Sequence, residues 1–144
     1  MLVLDQLSKL WIRNNLAPSE STPEIGFLRL THVLNTGSAF GLLANQTFLL
    51  TIITIASLFV ILLFLHHLSP PATLSIVSIG LIFGGAVGNL IDRLHLGYVT
   101  DFIDARLWGN FHWPAFNIAD AAIVVGVFAL VFSFYRSGLF RKSV

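Results

Sequence analysis

Residues 72–91 read ATLSIVSIGLIFGGAVGNLI, twenty positions without a charged side chain, and charges return only at positions 92 and 93. A helix of about 20 apolar residues has the length that crosses the hydrocarbon core of a bilayer. Two other stretches have the same character: residues 48–65 are almost wholly apolar, and residues 117–136 are apolar beyond their first turn. The sequence therefore predicts membrane-spanning helices at about 48–65, 72–92 and 117–136.

The composition also indicates a membrane protein. Of the 144 residues, 56% are hydrophobic and 10% are charged, whereas an average soluble domain carries about 25% charged residues. The net charge of +1 is too small to indicate nucleic-acid binding. Cysteine is absent, which excludes disulfides and thiol nucleophiles, and the five histidines form no H-E-x-x-H zinc motif. We expect one domain over residues 1–144, of the all-α polytopic membrane class.

The basic residues indicate an orientation. Three of them follow the last apolar run with no acid in between: Arg136, Arg141 and Lys142. Positive charge favours the cytoplasmic side of a membrane, so we expect the C-terminus there. Three spans then place residues 1–47 and 92–117 outside the cell and residues 66–71 inside.

Gly80, Gly84 and Gly88 recur at four-residue steps within the charge-free run. Small residues with this spacing allow a second helix to approach closely. Gly85 and Asn89 lie on the adjacent strip, so packing there would bring a partner helix near polar groups.

Two carboxylates occur where a membrane makes them costly. Asp101 lies in the strand-like segment 98–103 (YVTDFI) and shares a face with apolar neighbours. Asp120 follows Asn117 by three residues, which is the spacing of a helix N-cap and an N3 acid. Ionisable groups near hydrocarbon are usually functional, although helix-end electrostatics alone would also account for Asp120. Asp104 falls on the other face of the strand and is interpreted as an ordinary surface acid.

A pair of carboxylates in one small site predicts acid–base chemistry. Both cannot ionise easily, so one retains a proton near neutral pH. The ionised group can deprotonate a water molecule, and the protonated group can polarise or protonate a substrate amide. One alternative is a non-enzymatic transporter or channel subunit with Asp101 and Asp120 as a proton relay, and another is a scaffold whose acids only cap helices. Relay acids normally lie deep along a water path, whereas these two fall near one end of the spans.

Five motifs, in the right order, resemble those of the lipoprotein signal peptidases (signal peptidase II), which are bacterial membrane aspartic peptidases. The matching segments are Asp5-Gln-Leu-Ser-Lys9 (D-x-x-[ST]-K), Asn35-Thr-Gly-Ser-Ala-Phe40 (N-x-G-x-A-F), Gly84-Gly-Ala-Val-Gly-Asn-Leu-Ile-Asp-Arg93 (G-G-x-x-G-N-x-x-D-R), Val99-Thr-Asp-Phe102 (V-x-D-F) and Phe116-Asn-Ile-Ala-Asp120 (F-N-x-A-D). Each motif alone is weak, but five in sequence are specific.

The resemblance implies a fold, a location and residue roles. Asp101 and Asp120 correspond to the family's catalytic aspartate pair. The matching positions that line or brace the site are Asn35, Gly37, Asn89, Asp92, Arg93, Asn117, Asp5 and Lys9. The implied fold is a four-span helical bundle with a small extracytoplasmic β-like region over the site. The implied location is the bacterial cytoplasmic (inner) membrane, with the site near the extracytoplasmic face.

The resemblance also implies a substrate. The family cleaves diacylglyceryl-modified prolipoproteins before the lipidated lipobox cysteine, in contact with membrane lipid, and is inhibited by cyclic peptides such as globomycin. It implies no metal, organic cofactor or nucleic acid. The family has a full apolar helix before its first motif, whereas only residues 1–4 precede Asp5 here. We therefore expect a truncated first span at about 1–14, with roughly 12 to 16 further apolar residues upstream in the native chain.

Overall fold

A computed structural model describes residues 1–38, 43–67, 73–109 and 111–137, without the side chains of residues 64–67. Within these ranges the chain forms four helices and four strands. In chain order they are α1 (Leu2–Asn15), β1 (Ser21–Thr22), β2 (Leu28–Asn35), α2 (Thr47–His67), α3 (Thr73–Leu96), β3 (Val99–Trp108), β4 (Phe111–Phe116) and α4 (Ile118–Arg136). Most of the predicted inner loop, together with Arg141 and Lys142, lies outside the described residues.

Three helices coincide with the apolar runs of the sequence. The bounds of α2, α3 and α4 lie within four residues of the predicted spans. The largest difference is at the end of α3, which continues to Leu96 and stops where Gly97 adopts a φ of +80°, a backbone conformation that favours glycine at a helix end. Among the described residues, α3 and α4 are long and apolar enough to cross a membrane, and Thr47–Leu63 of α2 is a shorter apolar helix. The number of spans stays a prediction.

The helices carry apolar side chains outward and polar side chains inward. Phe59 of α2 is 62% exposed and Phe128 of α4 is 72% exposed, whereas Asp5 and Lys9 of α1 are fully buried. Large exposed apolar surfaces are rare on soluble monomers and mark contacts with membranes or partners. The distribution of side chains therefore suits a protein surrounded by lipid.

Two glycines allow α3 and α4 to pack closely. A Cβ added to Gly85 would lie 2.5 Å from the carbonyl oxygen of Ala119, and a Cβ added to Gly126 would lie 2.7 Å from the carbonyl oxygen of Ser78. Any side chain at either position would collide with the backbone of the other helix. A second helix therefore approaches closely at Gly85, on the strip beside the one for which the sequence predicted close packing.

The strip formed by Gly80, Gly84 and Gly88 does not make this contact. A Cβ added to Gly84 would touch Met1, and one added to Gly88 would lie 2.6 Å from Oδ2 of Asp5, so both glycines face α1 and the residue before it. The expectation of close packing is wrong for Gly80, because no described atom lies within 4 Å of a Cβ placed there.

The all-α class expected from the composition is incomplete, because the four strands form one antiparallel sheet in the order β1-β2-β3-β4. The resemblance implies a small β-like region, and this sheet is larger and better defined than that expectation. The sequence indicated a strand only over residues 98–103, but β3 continues to Trp108 because its neighbours pair along it. Ala105 lies opposite Leu28 of β2 and opposite Trp113 of β4. Two residues separate α3 from β3, and one separates β4 from α4. The sheet therefore lies at the end of the helices where α3 stops and α4 starts.

Asp104 is not an ordinary surface acid, contrary to the sequence-based interpretation. Its side chain is 8% exposed and pairs with Arg29 of β2 and, at 2.8 Å, with Nδ1 of His112 on β4. Burial alone would raise the pKa of Asp104, but the hydrogen bonds from His112 and Arg29 outweigh it and hold this pKa below its ordinary value. Alternation along one strand does not reveal this cluster, because the partners belong to two neighbouring strands.

Candidate active site

Asp101 lies near the start of β3 and is 2% exposed. Nδ2 of Asn35, the last residue of β2, donates a hydrogen bond of 2.7 Å to Oδ2 of Asp101. Nδ2 of Asn117, the residue between β4 and α4, donates a hydrogen bond of 2.7 Å to Oδ1. Each oxygen of the carboxylate therefore receives one amide donor.

Asp120 lies in the first turn of α4 and forms a capping box with Asn117. Oδ1 of Asn117 accepts the backbone N–H of Asp120 at 2.9 Å, and Oδ2 of Asp120 accepts the backbone N–H of Asn117 at 3.2 Å. The N-cap predicted from the spacing is therefore confirmed. The other oxygen, Oδ1 of Asp120, accepts Nδ2 of Asn89 of α3 at 2.8 Å. Asp120 thus completes the capping box of α4 and also accepts a hydrogen bond from α3.

The hydrogen bonds determine which way the three asparagine amides point. An amide oxygen only accepts and an amide nitrogen only donates, so a partner that can only donate identifies the oxygen. Backbone N–H groups donate to Oδ1 of Asn117 and, from Gly37 at 2.9 Å, to Oδ1 of Asn35. The ammonium of Lys9 donates to Oδ1 of Asn89 at 2.8 Å. Every NH₂ group is consequently directed at one of the two carboxylates.

The surroundings of Asp101 favour its protonated form near neutral pH. Burial, followed by the negative charge of Asp120, raises the pKa of Asp101 to about 7. The hydrogen bonds from the asparagines and the positive charge of Lys9 act in the opposite direction but are smaller than these effects. A group with this pKa can hold or release a proton at physiological pH, as acid–base chemistry requires.

Both carboxylates line one cavity of about 680 Å³. Its polar end also contains Arg93 of α3, whose positive charge interacts with Asp120 and Asp101. Thr54 of α2 and residues 123–125 of α4 form part of the wall, and most of that wall is apolar. The cavity therefore combines a charged end with an apolar wall to which residues 113–116 of β4 and residues 123–125 of α4 contribute.

Asp5, Lys9 and Asp92 lie behind the carboxylates, because none of the three is among the residues that line the described cavities. Nζ of Lys9 is 2.9 Å from Oδ2 of Asp5 and 3.2 Å from Oδ2 of Asp92. All three side chains are at most 1% exposed. The structure therefore divides the ten residues that the resemblance implied. Those with a side chain or backbone atom at a cavity are Asn35, Gly37, Asn89, Arg93, Asp101 and Asp120, and Asn117 joins them through its hydrogen bonds.

Sequence reasoning missed Arg13 and Thr100. Nη1 of Arg13 lies 3.7 Å from Oδ1 of Asp92 and donates a hydrogen bond of 3.0 Å to Oγ1 of Thr100. The backbone N–H of Thr100 also donates to Asp92 at 3.0 Å. Arg13 follows Lys9 by four residues on α1, so its position on the same helix face was a readable signal. No feature of the sequence indicated Thr100 beyond its place before Asp101.

Comparison with solved structures identifies the class of fold. Two structures described as a bacterial membrane enzyme, both obtained by the in meso method, superpose with TM-scores of 0.86 and 0.80. Each is 33% identical to this chain and covers 99% of it, and the chain covers 87% and 88% of the two solved chains. The fold is therefore that of a bacterial membrane enzyme.

Sequence comparison identifies the family. Residues 1–136 match the family model of signal peptidase (SPase) II. The lipoprotein signal peptidase of Moorella thermoacetica is 50% identical over 131 residues, which are 90% of this chain and 84% of that protein. The lipoprotein signal peptidase of Maridesulfovibrio salexigens is 41% identical over 142 residues, which are 94% of this chain and 90% of that protein. The chain belongs to the signal peptidase II family, as the five motifs predicted, and is a membrane peptidase.

Proposed function

We propose that this protein is an aspartic endopeptidase whose two catalytic residues are Asp101 and Asp120. The observation that carries the proposal is that both carboxylates line the same cavity and accept hydrogen bonds from one residue, Asn117, from its side chain to Asp101 and from its backbone N–H to Asp120. A peptide bond placed in that cavity would have two carboxyl groups in different environments beside it. Such a pair can supply one acid and one base at the same pH.

The roles follow from the surroundings of each group. Asp101, with its pKa raised to about 7, is the acid that donates a proton to the oxygen of the scissile carbonyl. Asp120, in its ionised form, accepts a proton from the attacking water, whose oxygen bonds to the carbonyl carbon. As the tetrahedral intermediate collapses, the C–N bond breaks and the amine leaves with the proton that Asp120 accepted. Return of the proton from the new carboxyl group restores Asp101 for the next cycle.

The substrate class is proposed from the relatives and from the cavity. Both relatives above carry the name lipoprotein signal peptidase, and we propose a diacylglyceryl-modified prolipoprotein, cut before its lipidated lipobox cysteine. The apolar wall, formed mainly by residues 113–116 of β4 and 123–125 of α4, suits the apolar part of a signal peptide and acyl chains. A substrate embedded in lipid could reach that wall without leaving the bilayer. Arg93 supplies a fixed positive charge for polar groups of the bound peptide.

The location is proposed on similar grounds. Asp101 lies in the sheet, Asp120 lies at the end of α4 that adjoins the sheet, and the far end of α4 carries Arg136. Basic residues favour the cytoplasmic side, so the sheet and the site belong on the extracytoplasmic side of the bacterial cytoplasmic membrane. Cyclic peptides of the globomycin type are the expected inhibitors, since a closed peptide could fill the cavity beside the carboxylates. A proton-relay transporter is not favoured, because the relatives are peptidases.

The experiment is cleavage of a diacylglyceryl-modified prolipoprotein by the purified protein in lipid, with the cut bond identified by mass spectrometry. We expect Asp101→Asn and Asp120→Asn each to lower kcat by about 10²- to 10⁴-fold, because neither half of the pair can perform both proton transfers. Asp104→Asn is the matched control, since it removes a charge from the same strand outside the cavity. Activity retained in either variant of the pair would refute the proposed mechanism, and cleavage at another bond would refute the proposed substrate site.

The rate–pH profile provides a second test. A pair that works with one proton between its members gives a bell-shaped profile whose two limbs belong to the pair. A flat profile between about pH 4 and pH 9 would contradict the mechanism.

A further inference from the structure

The backbone on the N-terminal side of each proposed catalytic aspartate is held by a buried carboxylate. Thr100 precedes Asp101, and its N–H donates to Oδ2 of Asp92 at 3.0 Å. Ala119 precedes Asp120, and its N–H donates to Oδ1 of Asp5 at 2.9 Å. One of these hydrogen bonds holds β3 and the other holds α4. The two elements are also connected to each other through Asn117.

One side chain connects the two anchoring carboxylates. Nζ of Lys9 lies 2.9 Å from Asp5 and 3.2 Å from Asp92, and it donates to Oδ1 of Asn89 at 2.8 Å. An ammonium group has three donors, so these three acceptors use all of them. Asn89 in turn donates to Asp120. Lys9 is therefore connected to the two aspartates in three ways. Asp5 and Asp92 link it to the backbone beside each aspartate, and the amide of Asn89 links it to the carboxylate of Asp120.

We propose that Lys9 is a positioning residue that sets the separation and orientation of Asp101 and Asp120 from behind the cavity. This inference rests on the proposed function, because it assumes that the two aspartates act as a pair. Lys9 does not touch the cavity, and its side chain is fully buried. It acts through Asp5, Asp92 and Asn89.

The surrounding structure is adapted to this cluster. Gly88 of α3 leaves the space that the carboxylate of Asp5 occupies, since a Cβ there would lie 2.6 Å from Oδ2. Arg13 adds a second positive charge 3.7 Å from Asp92. Burying three charged groups is costly compared with apolar packing and does not by itself stabilise a fold. A role in holding the reacting groups accounts for their presence in the interior.

Lys9→Met separates positioning from simple packing, because methionine has a similar length and no charge. Two effects are expected. First, kcat falls about 100-fold, since misplacing reacting groups by about 1 Å has an effect of this size, while KM changes little because Lys9 does not line the cavity. Second, both limbs of the rate–pH profile move to higher pH, because loss of a nearby positive charge raises the pKa of Asp101.

The charges around Asp101 come from three helices. Asp5, Lys9 and Arg13 belong to α1, Asp92 and Arg93 to α3, and Asp120 to α4. Only Lys9 is changed in Lys9→Met, so a movement of the rate–pH profile can be attributed to the loss of its charge.

A double variant tests the inference if Lys9→Met does not fold. Lys9→Met alone removes the ammonium group that lies between Asp5 and Asp92, whereas Asp5→Asn with Lys9→Met retains the net charge of the wild-type cluster. The amide oxygen of Asn at position 5 can still accept the N–H of Ala119. We expect this variant to fold, to have a lower kcat and to keep a rate–pH profile close to that of the wild type. Lys9→Arg retains the charge, so we expect its profile to stay in place as well.

The structural control is Ser75→Ala, which removes a buried 2.9 Å hydrogen bond to Ser133 at the opposite ends of α3 and α4. We expect it to lower the unfolding temperature without changing kcat or the pH profile. The inference is overturned if a folded Lys9→Met or the double variant has a kcat within threefold of the wild type. Asp101→Asn is measured in the same assay. If it is inactive while the Lys9 variants are unaffected, only the positioning role fails, whereas an active Asp101→Asn refutes the proposed function itself.

Discussion

Asn117 donates a hydrogen bond of 2.7 Å from Nδ2 to Oδ1 of Asp101. The oxygen of the same amide accepts the backbone N–H of Asp120. One fully buried side chain therefore contacts both members of the proposed pair, on a strand and on a helix. Helix capping and the arrangement of the site are consequently two roles of one residue, and they can be separated by substitution.

Asn117→Ser should retain the cap and impair the site. Serine caps helices about as well as asparagine, but it has no amide to donate to Asp101. We expect kcat to fall about 10- to 100-fold, because removing one partner of a buried hydrogen bond has an effect of about 1–3 kcal/mol. Loss of this donor also raises the pKa of Asp101, so the rate–pH profile should move to higher pH. Rate–pH profiles and thermal unfolding of both proteins provide the measurement, and an unchanged kcat would contradict the assigned contact.

The raised pKa of Asp101 predicts a pH dependence of stability. Its ordinary pKa is 3.8, and in the folded protein it is about 7. The folded state therefore holds a proton that the unfolded state releases, and the stability contributed by this group is complete below about pH 4 and declines as the pH rises to about 7. Asp101→Asn lacks this pH-dependent contribution to stability, because its amide does not titrate. We expect the unfolding temperature of the wild type to fall relative to that of Asp101→Asn by about 5 °C or more between pH 4 and pH 8. Parallel curves for the two proteins would show that Asp101 does not carry this proton.

The cluster around Asp104 makes stability depend on pH in the opposite direction to Asp101. The pKa of Asp104 is held below its ordinary value by His112 and Arg29, so its contribution to stability is present above about pH 4 and is lost as the pH falls further. Asp104→Asn should destabilise the protein by about 1–3 kcal/mol at neutral pH, because buried donors lose their charged partner. It should also reduce the loss of stability in acid. Unfolding at pH 3 and pH 7 tests both statements, and equal stability of the two proteins at pH 7 would argue against the cluster.

Two glycines of α3 make a matched pair for testing the helix contact. Gly85→Ala places a methyl group 2.5 Å from the carbonyl oxygen of Ala119, whereas Gly80→Ala meets no atom of the described residues within 4 Å. We expect Gly85→Ala to destabilise the protein by about 1–3 kcal/mol or more, which is the usual effect of overpacking. Gly80→Ala should be neutral or stabilise by up to about 1 kcal/mol, because alanine is the better helix former. Thermal unfolding in the same lipid distinguishes them, and equal effects would contradict the packing of α3 against α4.

Much of the helical structure was predictable because hydrophobic length is a local property. The charge-free run before Asp92 became a helix, and the spacing of Asn117 and Asp120 correctly predicted a capped helix start. The resemblance implied a β-like region, but the strands other than residues 98–103 were not located, because β2 and β4 are stabilised by pairing with β3. Asp104 was misinterpreted for the same reason, since its partners belong to other strands.

The sequence by itself determined that this is an apolar, helical chain with five ordered motifs of signal peptidase II, including two aspartates worth testing. Composition, periodicity and motif order are properties of the chain that need no partner in space. Only the tertiary structure decided that Lys9 joins Asp5 to Asp92, and that Gly85 rather than Gly80 meets α4. Those facts depend on how helices cross and strands pair. A buried charge acquires its role from neighbours that are distant in the chain.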